Sequence, residues 1–315
     1  MVTLSLVIAC YDRMELLERT LEATAAQVLP EGVEWEVVVA DNHPDGLARP
    51  VVERFGARGN FRHIPATPHR NIAAARNCGV AAARGAFVAF VDDDEAPAPG
   101  CLAAHLACLE RTGADASFGP KDPVFEAGAP PDWDPEGHYF RVALDLPPDT
   151  ELHPLDWWHA GGRGLGTGNS MMRRATCLAG DKPFDEHLGR AGGEDTLLIF
   201  TLARQGRRFV WCAGAVVVEM NLSGRLTPDY MMGRLGRSAS HSAVFRVKVS
   251  DRPWLTRLGV WGIGLGQLGV HGLFYLMKRH RPASAWMRHR FGIAKGLGKL
   301  GLGAGMDFVR EDRPR

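Results

Sequence analysis

The first half of the chain alternates short apolar runs with stretches of helical periodicity, and this alternation limits the possible folds more than any other feature. Residues 4–9 and 87–91 are apolar, as expected for strands buried on both faces. Residues 13–26 and 69–84 carry apolar or small side chains at helical spacing. A β-α-β-α-β order of this kind predicts a mixed, mainly parallel sheet with helices on both faces.

The other elements follow from the same patterns. Strands are predicted at residues 34–40, 116–119 and 209–212, and helices at residues 97–112 and 194–205. Residues 121–165 are rich in Pro, Asp, Gly and Trp, a composition typical of an irregular surface segment or lid.

Composition argues against several classes of protein. The 315 residues include 37 Lys and Arg against 36 Asp and Glu, whereas nucleic-acid-binding domains show a strong basic excess. The six cysteines form no C-x-x-C pair, so neither a zinc cluster nor a disulfide framework is expected. The first residues lack the basic region of a signal peptide, so a cytoplasmic location is expected.

Four consecutive acidic residues follow the predicted strand at 87–91: Asp92, Asp93, Asp94 and Glu95. In open α/β sheets, ligands bind beyond the carboxyl ends of the strands. Carboxylates that repel one another at this place suit a hard divalent cation, which substrate phosphates would share. The alternative is a solvated acidic turn before a helix, where the helix dipole favours carboxylates.

Two further strand ends carry polar residues. Asp41 ends the second predicted strand, where an acid can accept hydrogen bonds from a base or ribose, or can initiate the turn at residues 42–46. Tyr11 and Arg13 follow the first strand, where a ring can stack on a base and a guanidinium can meet phosphate. The alternative there is a simple helix start with Asp12 as N-cap.

Two predicted helices add charged residues. Arg76 lies among alanines, from which it could reach a diphosphate or face solvent. Glu194 and Asp195 follow two glycines and open the helix predicted at 194–205. A carboxylate held by flexible backbone at a helix N-terminus suits a general base, and the alternative is helix capping alone.

Taken in order along the chain, these motifs resemble those of glycosyltransferase family 2, whose members have the GT-A fold. The matching segments are residues 7–13 (VIACYDR), 38–42 (VVADN), 70–79 (RNIAAARNCG), 90–95 (FVDDDE, with the D-x-D motif), 168–169 (GN) and 193–196 (GEDT). The chain departs from the family pattern at Ala9-Cys10, where Pro is common, at Asp12, where Asn is common, and at Arg70 or Asn71, where Gly is common.

Later segments of the chain resemble a subset of the family, the succinoglycan-type exopolysaccharide enzymes. These are Val218-Glu219, residues 223–227 (SGRLT), Arg234 and Arg237. The whole resemblance covers about residues 3–245.

The resemblance implies an inverting transfer of a sugar from a nucleotide sugar, most simply a UDP-sugar, to an acceptor hydroxyl. The implied nucleotide-binding residues are Ala9, Tyr11, Arg13, Asp41, Arg76, Asp92 and Asp93. Asp94 is the implied ligand of Mg²⁺ or Mn²⁺. Asp195 is the implied general base, and Glu194 would orient the acceptor. Gly168 and Asn169 are the implied acceptor-binding residues.

The carboxyl-terminal part of the chain has a different character. Residues 258–277 contain no acidic or basic residue except one His, and basic residues bracket them. Such a segment could span a bilayer or lie at its surface, but its glycines and its central Gln and His weaken the spanning signal. We expect peripheral contact with anionic lipid through residues 278–290, and the alternative is helices packed on the catalytic domain.

The predicted organisation is therefore a GT-A domain at residues 1–245 and a helical, membrane-associating segment at residues 246–315. This arrangement implies a location at the inner face of the cell membrane. The implied acceptor is a glycan or a lipid-linked molecule, and no nucleic acid is expected as a partner.

Three rival functions share parts of this pattern. A nucleotidyltransferase needs a glycine-rich, Arg-containing loop after the first strand, which residues 10–13 do not supply. A dehydrogenase needs a glycine fingerprint at the same place. A non-catalytic nucleotide-sugar, glycan or lipid binding protein could keep the fold, but it would need neither Asp94 nor Asp195.

Overall fold

The computed structural model describes residues 3–156 and 165–302. Its strands are β1 (Leu4–Cys10), β2 (Trp35–Asp41), β3 (Phe61–Pro65), β4 (Phe87–Asp92), β5 (Glu95–Pro97), β6 (Ala116–Phe118), β7 (Lys121–Phe125), β8 (Glu151–Leu152), β9 (Ser170–Arg173), β10 (Phe209–Trp211) and β11 (Val217–Asn221). Its helices are α1 (Met14–Ala25), α2 (Arg49–Phe55), α3 (Ile72–Ala82), α4 (Cys101–Thr112), α5 (Arg174–Cys177), α6 (Glu194–Arg204), α7 (Pro228–Lys248), α8 (Pro253–Lys278) and α9 (Ala283–Leu300).

The large sheet has the strand order β3-β2-β1-β4-β9-β6-β10-β8. The neighbours β3, β2, β1 and β4 are parallel, whereas β9 runs antiparallel between β4 and β6. This confirms the predicted mixed, mainly parallel α/β fold. Because β9 opposes β4, the carboxyl end of β4 and the residues just before β9 lie at the same edge of the sheet.

A smaller sheet has the strand order β5-β11-β7. Its strand β11 runs antiparallel to β5 and pairs Glu219 with Glu95. The first residue of β5 therefore has a second carboxylate as its cross-strand neighbour.

The core of the sheet explains why its central elements are predictable. All seven residues of β1 are buried, and α1 packs Leu17 and Leu21 against this layer. Helix α3 lies close to β1 because Gly79 has no side chain, and a Cβ at that position would clash with Val7. The alanines of α3 allow the same close approach.

The chain folds into two compact units. The first comprises Met1–Pro123 and Arg141–Met220, and the second comprises Val124–Phe140 and Asn221–Arg315. The predicted division at residue 245 falls inside α7, and whether residues 1–245 fold alone stays a prediction. Within the segment predicted at 246–315, residues 303–315 lie outside the described part of the chain.

Some elements were not predicted from sequence. Strand β3 lies at the edge of the sheet and is only partly buried, so its sequence FRHIP lacks the apolar run of the central strands. The irregular segment predicted at 121–165 contains β7 and β8. Residues 157–164 of that segment lie outside the described residues.

The second unit is largely helical. Helix α9 packs against both α7 and α8, and a hydrophobic cluster joins Trp133, Phe140, Met231, Met287 and Phe291. Among the described helices, α8 has the length and the hydropathy that would allow it to cross a membrane.

Candidate functional site

The acidic residues after β4 lie at the edge where the parallel strands of the first unit end. Asp92 is the last residue of β4 and Glu95 the first of β5, with Asp93 and Asp94 in the turn between them. The side chains of Asp93, Asp94 and Glu95 are buried. Buried carboxylates need donors or cations, so the partners of each one define the site.

Arg76 connects the acidic turn to the start of α6. Asn71 caps α3 by accepting the N–H of Ala74 (2.9 Å), which fixes the helix that carries Arg76. Arg76 Nη2 donates to Asp92 Oδ1 (2.9 Å), and Arg76 Nη1 donates to Glu194. A single buried guanidinium thus holds two predicted site residues together.

The same contacts determine how these carboxyl groups ionise. Burial opposes ionisation of Asp92, but the charges of Arg76 and Lys121 outweigh it and hold its pKa below the ordinary value. Burial raises the pKa of Glu194 to about 7, and the carboxylates of Asp195 and Asp92 add to this effect while Arg76 opposes it. Glu194 Oε2 is buried and has no hydrogen-bond partner among the described residues.

Asp195 occupies the second position of α6. Its Oδ1 accepts the backbone N–H of Thr196 (2.6 Å), as is common for acids in the first turn of a helix. Gly193 precedes the helix with a φ of 93°, a conformation that favours glycine. A Cβ on Gly166 would lie 2.7 Å from Asp195 Oδ2, so the loop before β9 passes directly beside the predicted base.

Gly168 lies in that loop, against a cluster of charged groups. Lys121 donates to Glu95, and its Nζ lies 4.0 Å from Asp92 Oδ2. A Cβ on Gly168 would be 2.6 Å from Glu95 Oε1 and 2.7 Å from Asp92 Oδ2. The absence of a side chain at this position therefore leaves room for the ion pairs, which explains the glycine.

The ion pair between Lys121 and Glu95 was not predicted from the sequence. Burial raises the pKa of Glu95 to about 8, and Asp92 and Glu219 raise it further while Lys121 lowers it. A lone Lys just after the predicted strand at 116–119 is the only sequence signal for this contact. That signal is too common on protein surfaces to identify a buried pair.

Asn169 is held by the scaffold. It adopts a φ of 54°, and its Nδ2 donates to the carbonyl oxygens of Pro120 and Ala215 (2.7 Å each). Its Oδ1 lies 3.1 Å from His105 Nε2. Because these contacts occupy the amide group, Asn169 positions the backbone of the loop, and its predicted contact with an acceptor stays a prediction.

Arg13 provides the positive charge next to the acidic turn. Its guanidinium donates to both Asp93 and Asp94. Within the described residues, no group of three or more His, Cys, Asp or Glu side chains is arranged to hold a metal ion. Mg²⁺ is, however, commonly bound by one or two carboxylates together with substrate phosphates. Asp94, which already binds a cation in the form of Arg13, fits that donor set.

The carboxylate of Asp41 is hydrogen-bonded mainly to its own loop. Its carboxylate accepts the N–H groups of His43 (3.0 Å) and Ala48 (2.8 Å) and lies 3.0 Å from His63 Nε2. A carboxylate has about four acceptor positions, so these contacts occupy most of them. The turn-forming alternative is therefore realised, and direct binding of a nucleotide by Asp41 stays a prediction.

Tyr11 and Ala9 lie at the end of β1. The Tyr11 hydroxyl accepts from Arg70 Nε (2.5 Å), and its ring lies 5.0 Å from that of His43. Arg70 has a φ of 56°, a backbone conformation that favours glycine. Ala9 is buried and pairs with Asp92 across the strands.

Apart from Ala9 and Asn169, the predicted site residues therefore fall into two groups. Contacts within the first unit join Arg13, Arg76, Asp92, Asp93, Asp94, Gly168 and Glu194, with Asp195 beside the same loop. Asp41 and Tyr11 lie at the neighbouring strand ends in contacts of their own.

Comparisons with known proteins bear on the family and the fold. A model of the family described as "Glycosyl transferase family 2" matches residues 5–177. The succinoglycan biosynthesis protein ExoM of Rhizobium meliloti (strain 1021) is 34% identical over 191 residues, which are 60% of this chain and 57% of ExoM. Glycosyltransferase AglE of Haloferax volcanii is 29% identical over 112 residues, 35% of this chain and 36% of AglE. The chain thus matches only part of the length of each of these relatives.

Solved structures share the fold at low sequence identity. S. aureus TarS 1-349 in complex with UDP superposes with a TM-score of 0.57 at 16% identity, covering 99% of this chain and 92% of that chain. The mannosyltransferase PcManGT from Pyrobaculum calidifontis, in complex with GDP-Man and Mn²⁺, has a TM-score of 0.57 at 17% identity, covering 94% of this chain and 86% of that chain. These likenesses confirm the GT-A fold expected from the sequence. Since the family model spans more than half of the residues, the chain belongs to glycosyltransferase family 2.

Proposed function

We propose that this chain transfers a sugar from a nucleoside diphosphate sugar, with UDP as the favoured nucleotide, to an acceptor hydroxyl, with inversion at the anomeric carbon. The observation that carries the proposal is the connection of the acidic turn after β4 to the start of α6. Arg76 contacts both Asp92 and Glu194, and Asp195 is the next residue. The residues that we propose bind the donor and accept the proton thus lie at one edge of one sheet.

The relatives support the class of substrate. The partial match to ExoM supports a role in exopolysaccharide synthesis. Structural neighbours with UDP, UDP-GlcNAc, and GDP-Man with Mn²⁺ support a nucleotide-sugar donor and a divalent metal ion.

We assign the donor side to the ends of β1, β2 and β4. Asp94 would hold Mg²⁺ or Mn²⁺, which when bound stabilises the departing diphosphate as a Lewis acid. Arg13 and Arg76 carry positive charge next to this turn, where phosphate oxygens would be favourable partners. Asp41 and Tyr11 shape the neighbouring strand ends, where the base and ribose would lie.

We assign the acceptor side to the start of α6 and the loop before β9. Asp195 would take the proton of the acceptor hydroxyl, and a single in-line attack on the anomeric carbon would invert it. The unpartnered Glu194 Oε2 is available to accept a hydrogen bond from the acceptor, which supports an orienting role for Glu194. Gly166 and Gly168 keep this loop close to the carboxylates.

A glycan or lipid-linked acceptor and a location at the inner face of the cell membrane are part of the same proposal. They are supported by the partial ExoM match and by the apolar helix α8.

The test is calorimetric titration of purified protein with UDP, GDP and dTDP, each with Mn²⁺ and again with EDTA. We expect metal-dependent binding of one nucleotide that is lost in Asp94→Ala. Asp181→Ala, which removes an exposed carboxylate elsewhere in the same unit, is the matched control and should bind as the wild type does. Absence of binding to all three nucleotides would contradict the proposal and favour a non-catalytic binding protein.

A further inference from the structure

Helix α8 exposes apolar side chains along its whole length. Its exposed large residues include Trp254 (66%), Leu258 (55%), Trp261 (45%), Leu265 (61%), Leu273 (59%) and Met277 (65%). Monomeric soluble proteins rarely expose a continuous apolar face of this size, and such faces mark interaction surfaces.

The two polar residues in the middle of α8, Gln267 and His271, face α9. Gln267 accepts from Lys299 Nζ of α9 (3.1 Å), and His271 Nδ1 lies 3.2 Å from His289 Nδ1 of α9. This arrangement is the reverse of a surface helix in water, which turns its polar residues outward. Helices that contact lipid direct their polar side chains toward neighbouring helices in this way.

Small residues bring α8 and α9 close together. A Cβ on Gly264 would lie 3.1 Å from the carbonyl oxygen of Gly296, and a Cβ on Gly296 would lie 2.9 Å from that of Gly264. Close glycine contacts of this kind are common between helices that pack in lipid. They also fix which face of α8 is left uncovered by α9.

The charge of this region is entirely positive. Between Pro253 and Leu300 the sequence contains no Asp or Glu. The cations of this stretch are Arg257, Lys278, Arg279, Arg281, Arg288, Arg290, Lys295 and Lys299. A surface that is complementary to it must be both apolar and anionic, which describes a bilayer containing acidic lipids.

We propose that α8 lies in the plane of an anionic membrane surface, with the face that carries Trp261, Leu265 and Leu273 immersed among the acyl chains. The packing on α9 opposes a spanning orientation. Arg288, Lys295 and Lys299 are distributed along α9, so an α8 that crossed the bilayer would carry these cations into hydrocarbon, which is costly. A second copy that packed through the same face of α8 is a poor occupant because it would bring the cations of residues 253–300 together with no acid in that stretch to offset them.

The test is flotation of the purified full-length protein with vesicles of phosphatidylcholine, with and without phosphatidylglycerol. We expect binding to the anionic vesicles that is at least about tenfold stronger than to neutral ones and that weakens with salt. Leu265→Asp/Leu273→Asp should abolish binding. Val28→Asp, which places the same charge at an exposed apolar residue of the first unit (68% exposed), should leave it unchanged. Arg279→Gln/Arg281→Gln should reduce the preference for anionic lipid.

Two further measurements keep the proposal testable if the double Asp variant does not fold. Brominated lipids should quench tryptophan fluorescence of the wild-type protein, and Trp254→Phe/Trp261→Phe should remove most of that quenching. Alkaline carbonate should release the protein from the membrane, whereas retention would show a spanning helix and overturn the flat orientation.

Other results would overturn the proposal that α8 binds a membrane surface at all. These are equal binding to neutral vesicles, unchanged binding by Leu265→Asp/Leu273→Asp, or a stable dimer that binds no vesicles and is dissociated by that variant. Vesicle binding needs neither nucleotide nor turnover. Asp195→Asn should therefore bind vesicles as the wild type does. If the proposed transferase activity is not found, the proposal of membrane binding by α8 still stands.

Discussion

The carboxyl ends of β2 and β4 both carry acids, but the two ends obtain their partners in different ways. At β2, Asp41 accepts N–H groups of its own loop, two and seven residues away, and its most distant contact is His63 on the adjacent strand β3, 22 residues away. At β4, Arg13 reaches Asp94 from 81 residues away, and Arg76 joins Asp92 to Glu194, which is 118 residues from Arg76.

This difference separates a local structural role from a site assembled by the fold. Hydrogen bonds within a turn need only the turn to form. A network that joins Arg13 before α1 with α3, the turn after β4 and α6 exists only in the folded chain, and it keeps several ionisable groups buried at a place where ligands bind. The predictions below test whether the two ends are as different as their contacts indicate.

The largest effect is expected for Arg76→Met. This change leaves the buried carboxylates of Asp92 and Glu194 without their shared cation, and the free energy of unfolding at neutral pH should fall by about 3–5 kcal/mol. Denaturant titration measures it. Arg84→Met, at an exposed position just beyond the same helix, should change stability by less than about 0.5 kcal/mol, and equal losses in the two variants would contradict the network.

The next largest effect is expected for Gly168→Ala. The added Cβ would approach Glu95 and Asp92 too closely, so we expect a loss of about 1–3 kcal/mol in stability and weaker metal-dependent nucleotide binding. Gly56→Ala is the control, because no atom lies within 4 Å of the Cβ that it would add. If Gly168→Ala is as benign as Gly56→Ala in both measurements, the loop does not pack on the carboxylates as described.

Glu194→Gln should flatten the pH dependence of stability. The folded-state pKa of Glu194 is raised from 4.5 to about 7, so the folded protein holds this proton more tightly than the unfolded chain. Stability from this group is therefore complete below about pH 4.5 and declines as the pH rises through about 7, by about 1–3 kcal/mol. Denaturant titrations across this range should show the decline in the wild type and in the exposed control Glu53→Gln. A decline of the same size in Glu194→Gln would assign it to other groups.

Asp41→Asn should have the smallest effect. The amide oxygen can still accept from one of the loop N–H groups, so we expect a loss of about 1 kcal/mol in stability. The affinity for UDP should change by less than about tenfold. A larger loss of affinity at unchanged stability would mean that Asp41 contacts the nucleotide directly and would remove the contrast between the two strand ends.

Local pattern predicted the central elements and the order of the motifs. β1 and β4 are buried apolar runs and α3 is rich in alanine, so each sequence pattern predicts a single type of secondary structure. The edge strand β3 was missed because it is only partly buried and mixes apolar with polar residues.

Contacts between residues that are distant in the chain could not be predicted from local sequence patterns. The pair Lys121–Glu95 depends on the small sheet that brings β5 and β7 to either side of β11, and the bridge through Arg76 depends on the position of α6. Similarly, the sequence shows that residues 258–277 lack acidic and basic residues apart from one His, but only the packing of α8 on α9 identifies which face of the helix is exposed.

The central claim is that the edge after β4 and the start of α6 form one catalytic site with Asp195 as its base. The most direct test is the turnover of Asp195→Asn with the UDP-sugar donor, Mn²⁺ and a glycan acceptor whose hydroxyl receives the sugar, measured as release of UDP, beside its affinity for UDP. Asn can still accept the N–H of Thr196, so the start of α6 should persist. We predict that turnover falls by about 10²–10⁴-fold while the affinity for UDP is retained, and Asp181→Asn should turn over as the wild type does. Unchanged turnover in Asp195→Asn would contradict the claim.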